Sequence, residues 1–275
     1  MDTRETEIPS RIQAVLDRFI TACQDDDRIL AAFLLGSYAR DAADQHSDLD
    51  LYVITTDKDF DDFYTQRDAF MKQLGEPIFM EDFDIPNIAF YILSNGVEVE
   101  FRFGQVSQFD DIRSEPYKLL VDKKDILSGV VFPDPIFDSV EQTEKLRRQI
   151  YWFWHDMSHF ITAIGRGQLW WAQGQLEELR RYCIRLVRLR NNFTDSDTMD
   201  EVYFKLEKVM PVEQLSNLVE TFCPMETHAL LLSSLRLVQF YKELAVPLAR
   251  AHGINYPDAL ERNMVQRLEN LHQSI

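Results

Sequence analysis

Apolar residues in the first half of the chain follow two alternating periods. From Arg11 to Ala22 they recur at three- and four-residue spacing (Ile12, Val15, Leu16, Phe19, Ile20), which predicts an amphipathic helix. Ile29 to Leu35 is an unbroken apolar run stopped by Gly36-Ser37, the pattern of a buried strand. From Asp48 to Thr55 the period becomes two: Leu49, Leu51 and Val53 share one face, and Asp48, Asp50 and Tyr52 share the other. Phe60 to Leu74 reads as one amphipathic helix. Ile88–Leu93 and Val97–Phe103 alternate like strands, joined at Ser94-Asn95-Gly96. Asn-Gly is a hairpin signal because both residues tolerate positive φ. Helices interleaved with strands predict an α/β unit around a mixed sheet.

The second half keeps a helical period almost throughout. Val140 to Ile164, Gln168 to Leu189 and Ala229 to Ala251 predict long helices, with shorter ones near 200–210, 212–222 and 257–271. This is the pattern of an all-α helical bundle. Phe132-Pro133-Asp134-Pro135 breaks regular structure between the halves, which predicts domains at 1–137 and 138–275.

Composition narrows the function classes. Of 275 residues, 45% are hydrophobic and 12% aromatic, enough for a packed core. No apolar run reaches the roughly 18 residues of a membrane span, and Met1-Asp2-Thr3-Arg4-Glu5 is not signal-like, so no membrane partner is expected. Cys23, Cys183 and Cys223 are too dispersed for a disulfide framework or a zinc ligand set, and a reducing cytoplasm is the expected location. The net charge is −17 and concentrated: residues 1–140 carry 29 acidic and 13 basic side chains, residues 141–275 carry 17 and 16. Such a field disfavours nucleic acid and suits a small cationic substrate.

The chemistry lies in Leu34-Leu35-Gly36-Ser37-Tyr38-Ala39-Arg40 and Ser47-Asp48-Leu49-Asp50-Leu51. Gly36-Ser37 follows a strand and precedes a helix-competent stretch, where a small residue lets a phosphate approach the backbone. Asp48 and Asp50, at i and i+2 on a strand, point to one face and can share hard divalent cations. Glu98 and Glu100 share a face of a later strand, and a third carboxylate beside the first pair would complete a metal site for phosphoryl chemistry.

Gly-Ser, ten residues, then Asp-x-Asp and a later strand carboxylate resembles the DNA polymerase β-type nucleotidyltransferase superfamily. The frame from Asp27-Arg28-Ile29 through Asp44-Gln45-His46-Ser47-Asp48 is similar to the antibiotic nucleotidyltransferases, the lincosamide enzymes first and the aminoglycoside enzymes next. Asp41 departs from that pattern, since many relatives carry Gly there. The resemblance implies an enzyme transferring a nucleoside monophosphate from a nucleoside triphosphate to a hydroxyl of a small antibiotic, with pyrophosphate released. It implies two Mg²⁺ ions on Asp48 and Asp50. Gly36, Ser37 and Arg40 are assigned to nucleotide phosphates, and Glu100 is assigned as general base, metal ligand or both. ATP is the expected donor, with GTP left open. A homodimer is expected, with the helical domain serving substrate binding or dimerisation. Two other readings stand beside this one: a noncatalytic nucleotide- or protein-binding module, and a nucleotidyltransferase acting on a protein or RNA.

The remaining candidates have blander readings. Arg102 shares the Glu100 face and is expected to pair with a carboxylate. His155 and His159 have metal-ligand spacing but read as partly buried histidines in an aromatic helix. Trp152, Trp154, Trp170 and Trp171 read first as core, second as acceptor-pocket wall. Glu177 and Glu178 divide between a solvated face and an acidic wall. The run Arg180, Arg181, Arg185, Arg188, Arg190 reads as counter-charge to the acidic half rather than as a phosphate contact.

Overall fold

The computed structural model describes residues 9–111, 116–128, 130, 139–190 and 202–274. The proline-containing stretch 132–135, the first five residues, and the start of the helix expected near 200–210 lie outside the described residues. The chain divides into two compact units, Met1–Ile136 and Phe137–Ile275.

The first unit runs α1 (Ser10–Asp25), β1 (Ile29–Leu34), α2 (Gly36–Ala39), β2 (Leu49–Thr55), α3 (Phe60–Thr65), α4 (Arg67–Leu74), β3 (Pro77–Glu81), β4 (Ile88–Leu93), β5 (Glu98–Gln105), a 3₁₀ turn at Val106–Asp111, and β6 (Lys118–Asp122). Among the described residues the strands form one sheet in the order β3-β4-β5-β2-β1-β6. β2 and β5 pair in parallel; the other neighbours are antiparallel. The sheet is therefore mixed, as the sequence pattern predicts.

One face of this sheet is packed. Leu49, Leu51 and Val53 of β2 and Val99, Phe101 and Phe103 of β5 join Val15, Phe19, Phe70 and Met71 of α1 and α4 in a single core. Phe19 meets Phe70 and Phe101 edge-on, and Phe70 stacks on Phe101, arrangements that suit the ring quadrupoles. The alternation of both strands then sends Asp50 and Tyr52, and Glu98, Glu100 and Arg102, to the opposite face. That face has a smaller apolar cluster at one end, where Phe33 stacks on Tyr52 at 4.7 Å.

The single helix expected over Phe60–Leu74 is instead two. The chain bends at Gln66, whose side-chain amide donates to Asp62 at 2.8 Å; Arg28 also holds Asp62 at 2.6 Å.

The second unit contains α5 (Ser139–Gly165), α6 (Leu169–Arg190), α7 (Leu206–Val209), α8 (Val212–Val219), α9 (Thr227–Ala251) and α10 (Asp258–Ser274). α5, α6 and α9 pack around Phe153, Trp154, Leu179, Cys183, Leu237 and Tyr241. Phe153 stacks on Tyr241 at 3.7 Å, and the Tyr241 hydroxyl donates to the Ile150 carbonyl at 2.8 Å, so a buried polar tip is satisfied. Of the four tryptophans only Trp154 is core; Trp152, Trp170 and Trp171 lie at the surface, Trp170 at 82% exposure.

The arginine run is corrected by the structure. Arg180 is 1% exposed. It donates through Nε to Thr221 Oγ1 and through Nη2 to the Thr221 carbonyl, both at 2.9 Å, pairs with Glu177, and lies 4.0 Å over the Phe222 ring. Tyr203 donates to the other Glu177 oxygen at 2.6 Å. Arg188 donates to the carbonyls of Val202 and Phe204. These cations fasten α6 to later segments of their own unit. Arg180→Ala would remove both bonds to Thr221 and the pair with Glu177 and open a cavity, although the Ser233 hydroxyl still donates to the Thr221 carbonyl, a loss of about 3 kcal/mol. All four tryptophans lie in this unit, so the urea midpoint followed by tryptophan fluorescence reads the loss directly. An unchanged midpoint would mean that packing alone holds the Thr221 segment.

Candidate active site

The site begins where β1 ends. The Leu35 N–H donates to the Asp50 carbonyl at 3.0 Å, which ties the start of α2 to β2. Gly36 then takes φ +60°, a left-handed conformation open to glycine. A Cβ built there would lie 1.7 Å from Asp50 Oδ2 and 2.6 Å from Asp50 Cγ. The glycine is therefore required twice, by its backbone conformation and by the carboxylate that fills its side-chain space.

The loop from Arg40 to Asp48 closes on itself. The Ala42 N–H donates to the Ser37 carbonyl at 2.9 Å, the His46 N–H to Asp44 Oδ1 at 2.9 Å, and the Asp44 N–H to Ser47 Oγ at 2.9 Å. These local Asx- and Ser-type bonds deliver the chain to β2 without regular structure. Asp41, the residue that departs from the resemblance, has φ +51° in this loop, a conformation that favours the glycine many relatives carry. Arg40 caps the end of α2 and is exposed.

Asp50 and Glu100 are direct partners in the parallel β2–β5 register, both half-buried and on the unpacked face. Glu100 is flanked on its other side by Phe90 of β4. Arg102, one step along the same face, donates through Nε to Glu100 Oε1 at 2.6 Å, and its Nη2 lies 2.5 Å from the same oxygen, the expected pairing. Asp48 is exposed and lies one residue before β2. Glu98 is exposed at the start of β5. The structure thus juxtaposes Asp50, Glu100 and Gly36. Asp48, Asp50 and Glu100 do not bring donor oxygens within 4.8 Å of one another as a set of three; among the described residues only His155, Asp156 and His159 form such a group.

Two hydroxyls at this site are buried without a hydrogen-bond partner, Ser37 Oγ and Tyr38 Oη. Burial pushes the Tyr38 phenol up, and the charges of Asp44 and Asp48 push it further. Sequence reasoning singled out Ser37 but gave Tyr38, in the same motif, no role. A buried polar atom without a partner is uncommon in a folded protein and marks a place where a ligand can make the missing bond.

Two other sets change their reading. His155 is exposed rather than partly buried, its side chain at 49%, whereas His159 is half-buried as expected, its side chain at 44%. Glu177 is engaged by Arg180 and Tyr203, and Glu178 lies 3.6 Å from Arg181. No described helix is long and apolar enough to cross a membrane, and all three cysteines are free thiols.

No curated protein shows significant sequence similarity to the chain. Among solved structures it is similar to an aminoglycoside 6-adenyltransferase from Bacillus subtilis, with 15% identity over 96% of this chain and 99% of that one, TM-score 0.45. It is also similar to a nucleotidyltransferase-like protein from Exiguobacterium sibiricum, with 13% identity over 87% of this chain and 79% of that one, TM-score 0.35. The sequence pattern of one family matches residues 10–271, nearly the whole chain and both units: this protein is a nucleotidyltransferase and belongs to the streptomycin adenylyltransferase family.

Proposed function

We propose that this enzyme transfers the nucleoside monophosphate of ATP to a hydroxyl of an aminoglycoside-type antibiotic and releases pyrophosphate. The observation that carries the reading is the juxtaposition of Asp50, Glu100 and Gly36 on the unpacked sheet face, beside the unpartnered Ser37 hydroxyl. The family name supports adenylyl transfer, and the net −16 of residues 1–140 supports a polycationic acceptor.

The donor set fits Mg²⁺: hard carboxylate oxygens on one face, with the Gly36 side-chain space given over to an Asp50 oxygen. Asp48, Asp50 and Glu100 are the residues that would hold it, as one or two ions. Bound there, the metal would neutralise charge on the nucleotide phosphates. The Gly36 and Ser37 backbone and the Ser37 hydroxyl would orient those phosphates, and Arg40 would add charge at the rim. Glu100 would accept the proton of the acceptor hydroxyl as its oxygen bonds to the α-phosphorus and the bond to pyrophosphate breaks. Arg102 holds the Glu100 carboxylate along the strand face until the acceptor arrives. A homodimer belongs to the same reading.

The test is pyrophosphate release with Mg²⁺ and each nucleotide, against aminoglycosides and lincosamides, across a salt series. Turnover with ATP and an aminoglycoside, falling as salt rises, is the expected result. Turnover with lincosamides alone would replace the acceptor class, and no pyrophosphate with any acceptor would sink the antibiotic reading.

Gly36→Ala tests the site's packing. A methyl group at this position must push the Asp50 carboxylate off its place, and displacements of about 1 Å cost about a hundredfold in rate. The expected loss in kcat/KM is of that size, with a circular dichroism spectrum like that of the parent. Unaltered kinetics would mean that the Asp50 oxygen is not needed where it lies.

A further inference from the structure

We propose that His155, Asp156 and His159, on the exposed side of α5 in the second unit, form a binding site for a divalent transition-metal ion of the Zn²⁺ type. The two histidines are four residues apart on a helix and so share a face. Their rings lie 4.6 Å apart, centroid to centroid. Asp156 Oδ1 lies 2.9 Å from His155 Nδ1 and 3.9 Å from His159 Nδ1. One donor atom from each residue falls within 4.8 Å of the other two. Ligands around one tetrahedral zinc, at about 2.1 Å each, lie about 3.4 Å apart. Small side-chain rotations bring these donors to that spacing.

The surroundings favour an ion over a chance cluster. The Asp156 side chain is 14% exposed, and its second oxygen is already used: the Tyr182 hydroxyl on α6 donates to Oδ2 at 2.8 Å. That bond fixes the carboxylate and leaves Oδ1 toward the histidines, the arrangement in which an outer partner orients a metal ligand. Trp152 lies edge-on to His155 at 4.6 Å, and Trp171 lies 6.0 Å from His159, so both imidazoles are flanked by rings. The histidines open to solvent, which leaves room for a water or an exogenous ligand to complete the coordination. Two imidazoles and one carboxylate select zinc, copper or nickel rather than magnesium, so this site and the carboxylates of the first unit differ in the ion they take.

The test is calorimetric titration of the metal-stripped full chain with Zn²⁺, in excess Mg²⁺ so that hard-ion sites are filled, with Co²⁺ as a spectroscopic substitute. One ion per chain is expected. His155→Ala and His159→Ala should each weaken binding at least tenfold, and Tyr182→Phe by about tenfold through loss of the orienting bond. Asp50→Asn should leave Zn²⁺ affinity unchanged. All three binding variants alter one side chain on an otherwise intact helix, and their helical circular dichroism should match the parent. A wild-type Kd weaker than about 100 μM, wild-type affinity in either histidine variant, or loss of the ion in Asp50→Asn would each overturn the assignment. The readout is independent of adenylyl transfer, so it stands or falls separately from the proposed function.

Discussion

Asp50→Asn should lower turnover by about three orders of magnitude or more while leaving the fold intact. The substitution keeps shape and volume but removes the charge that a Mg²⁺–nucleotide complex requires. Asp50 is the carboxylate best fixed by the fold. Its backbone carbonyl accepts from Leu35, its side chain fills the space beside Gly36, and its register partner is Glu100. Removing one of two neighbouring negative charges relieves repulsion, so the metal-free variant should unfold at an equal or slightly higher temperature. The checks are steady-state pyrophosphate release and a thermal melt on the same preparation. Near-native turnover with Mg²⁺ would show that the metal lies elsewhere.

Glu100→Gln should lose about 10²- to 10⁴-fold in kcat while keeping nucleotide affinity within a few fold, because an amide cannot take the acceptor proton. The pair with Arg102 is also lost, but the arginine side chain is 39% exposed and can turn to water, so stability should hardly change. Glu98→Gln is the control. It is exposed at the start of β5, in register with Ile92 and not with Asp50, and should cost little. Single-turnover kinetics with saturating ATP separates binding from chemistry. A dead Glu98→Gln beside an active Glu100→Gln would exchange the two roles.

The inference of a mixed sheet and a helical second half needed only local periodicity. β2 and β5 alternate because one sheet face is packed against α1 and α4 and the other is not. The turn at Ser94-Asn95-Gly96 was readable because Gly96 at φ +77° is a local requirement of the chain. The edge strands were not readable. β3 exposes four of its five residues and β6 buries only Val121, so neither has enough of a buried face to impose a pattern. The bend at Gln66 was hidden for a related reason: the apolar residues keep their helical phase on both sides of it, and one of the ties that fasten it comes from Arg28, far back in the chain.

What the sequence determined by itself was the set of groups and their faces: Gly36-Ser37 after a buried strand, Asp50 on the polar face of β2, Glu100 on the polar face of β5. Each follows from residues within a few positions, where backbone geometry dictates direction. Which groups meet was settled by the packed fold alone. Asp50 and Glu100 are fifty residues apart, and the parallel register that pairs them follows from packing the whole sheet against its helices. Arg180 and Arg188 looked like a surface charge run because charge is local. Their burial depends on carbonyls at Thr221, Val202 and Phe204, supplied by chain segments that return to α6. His155 and His159 had the spacing of ligands from the start. The third donor held by Tyr182, and the solvent access, came from packing α6 against α5, which a helical period alone does not specify.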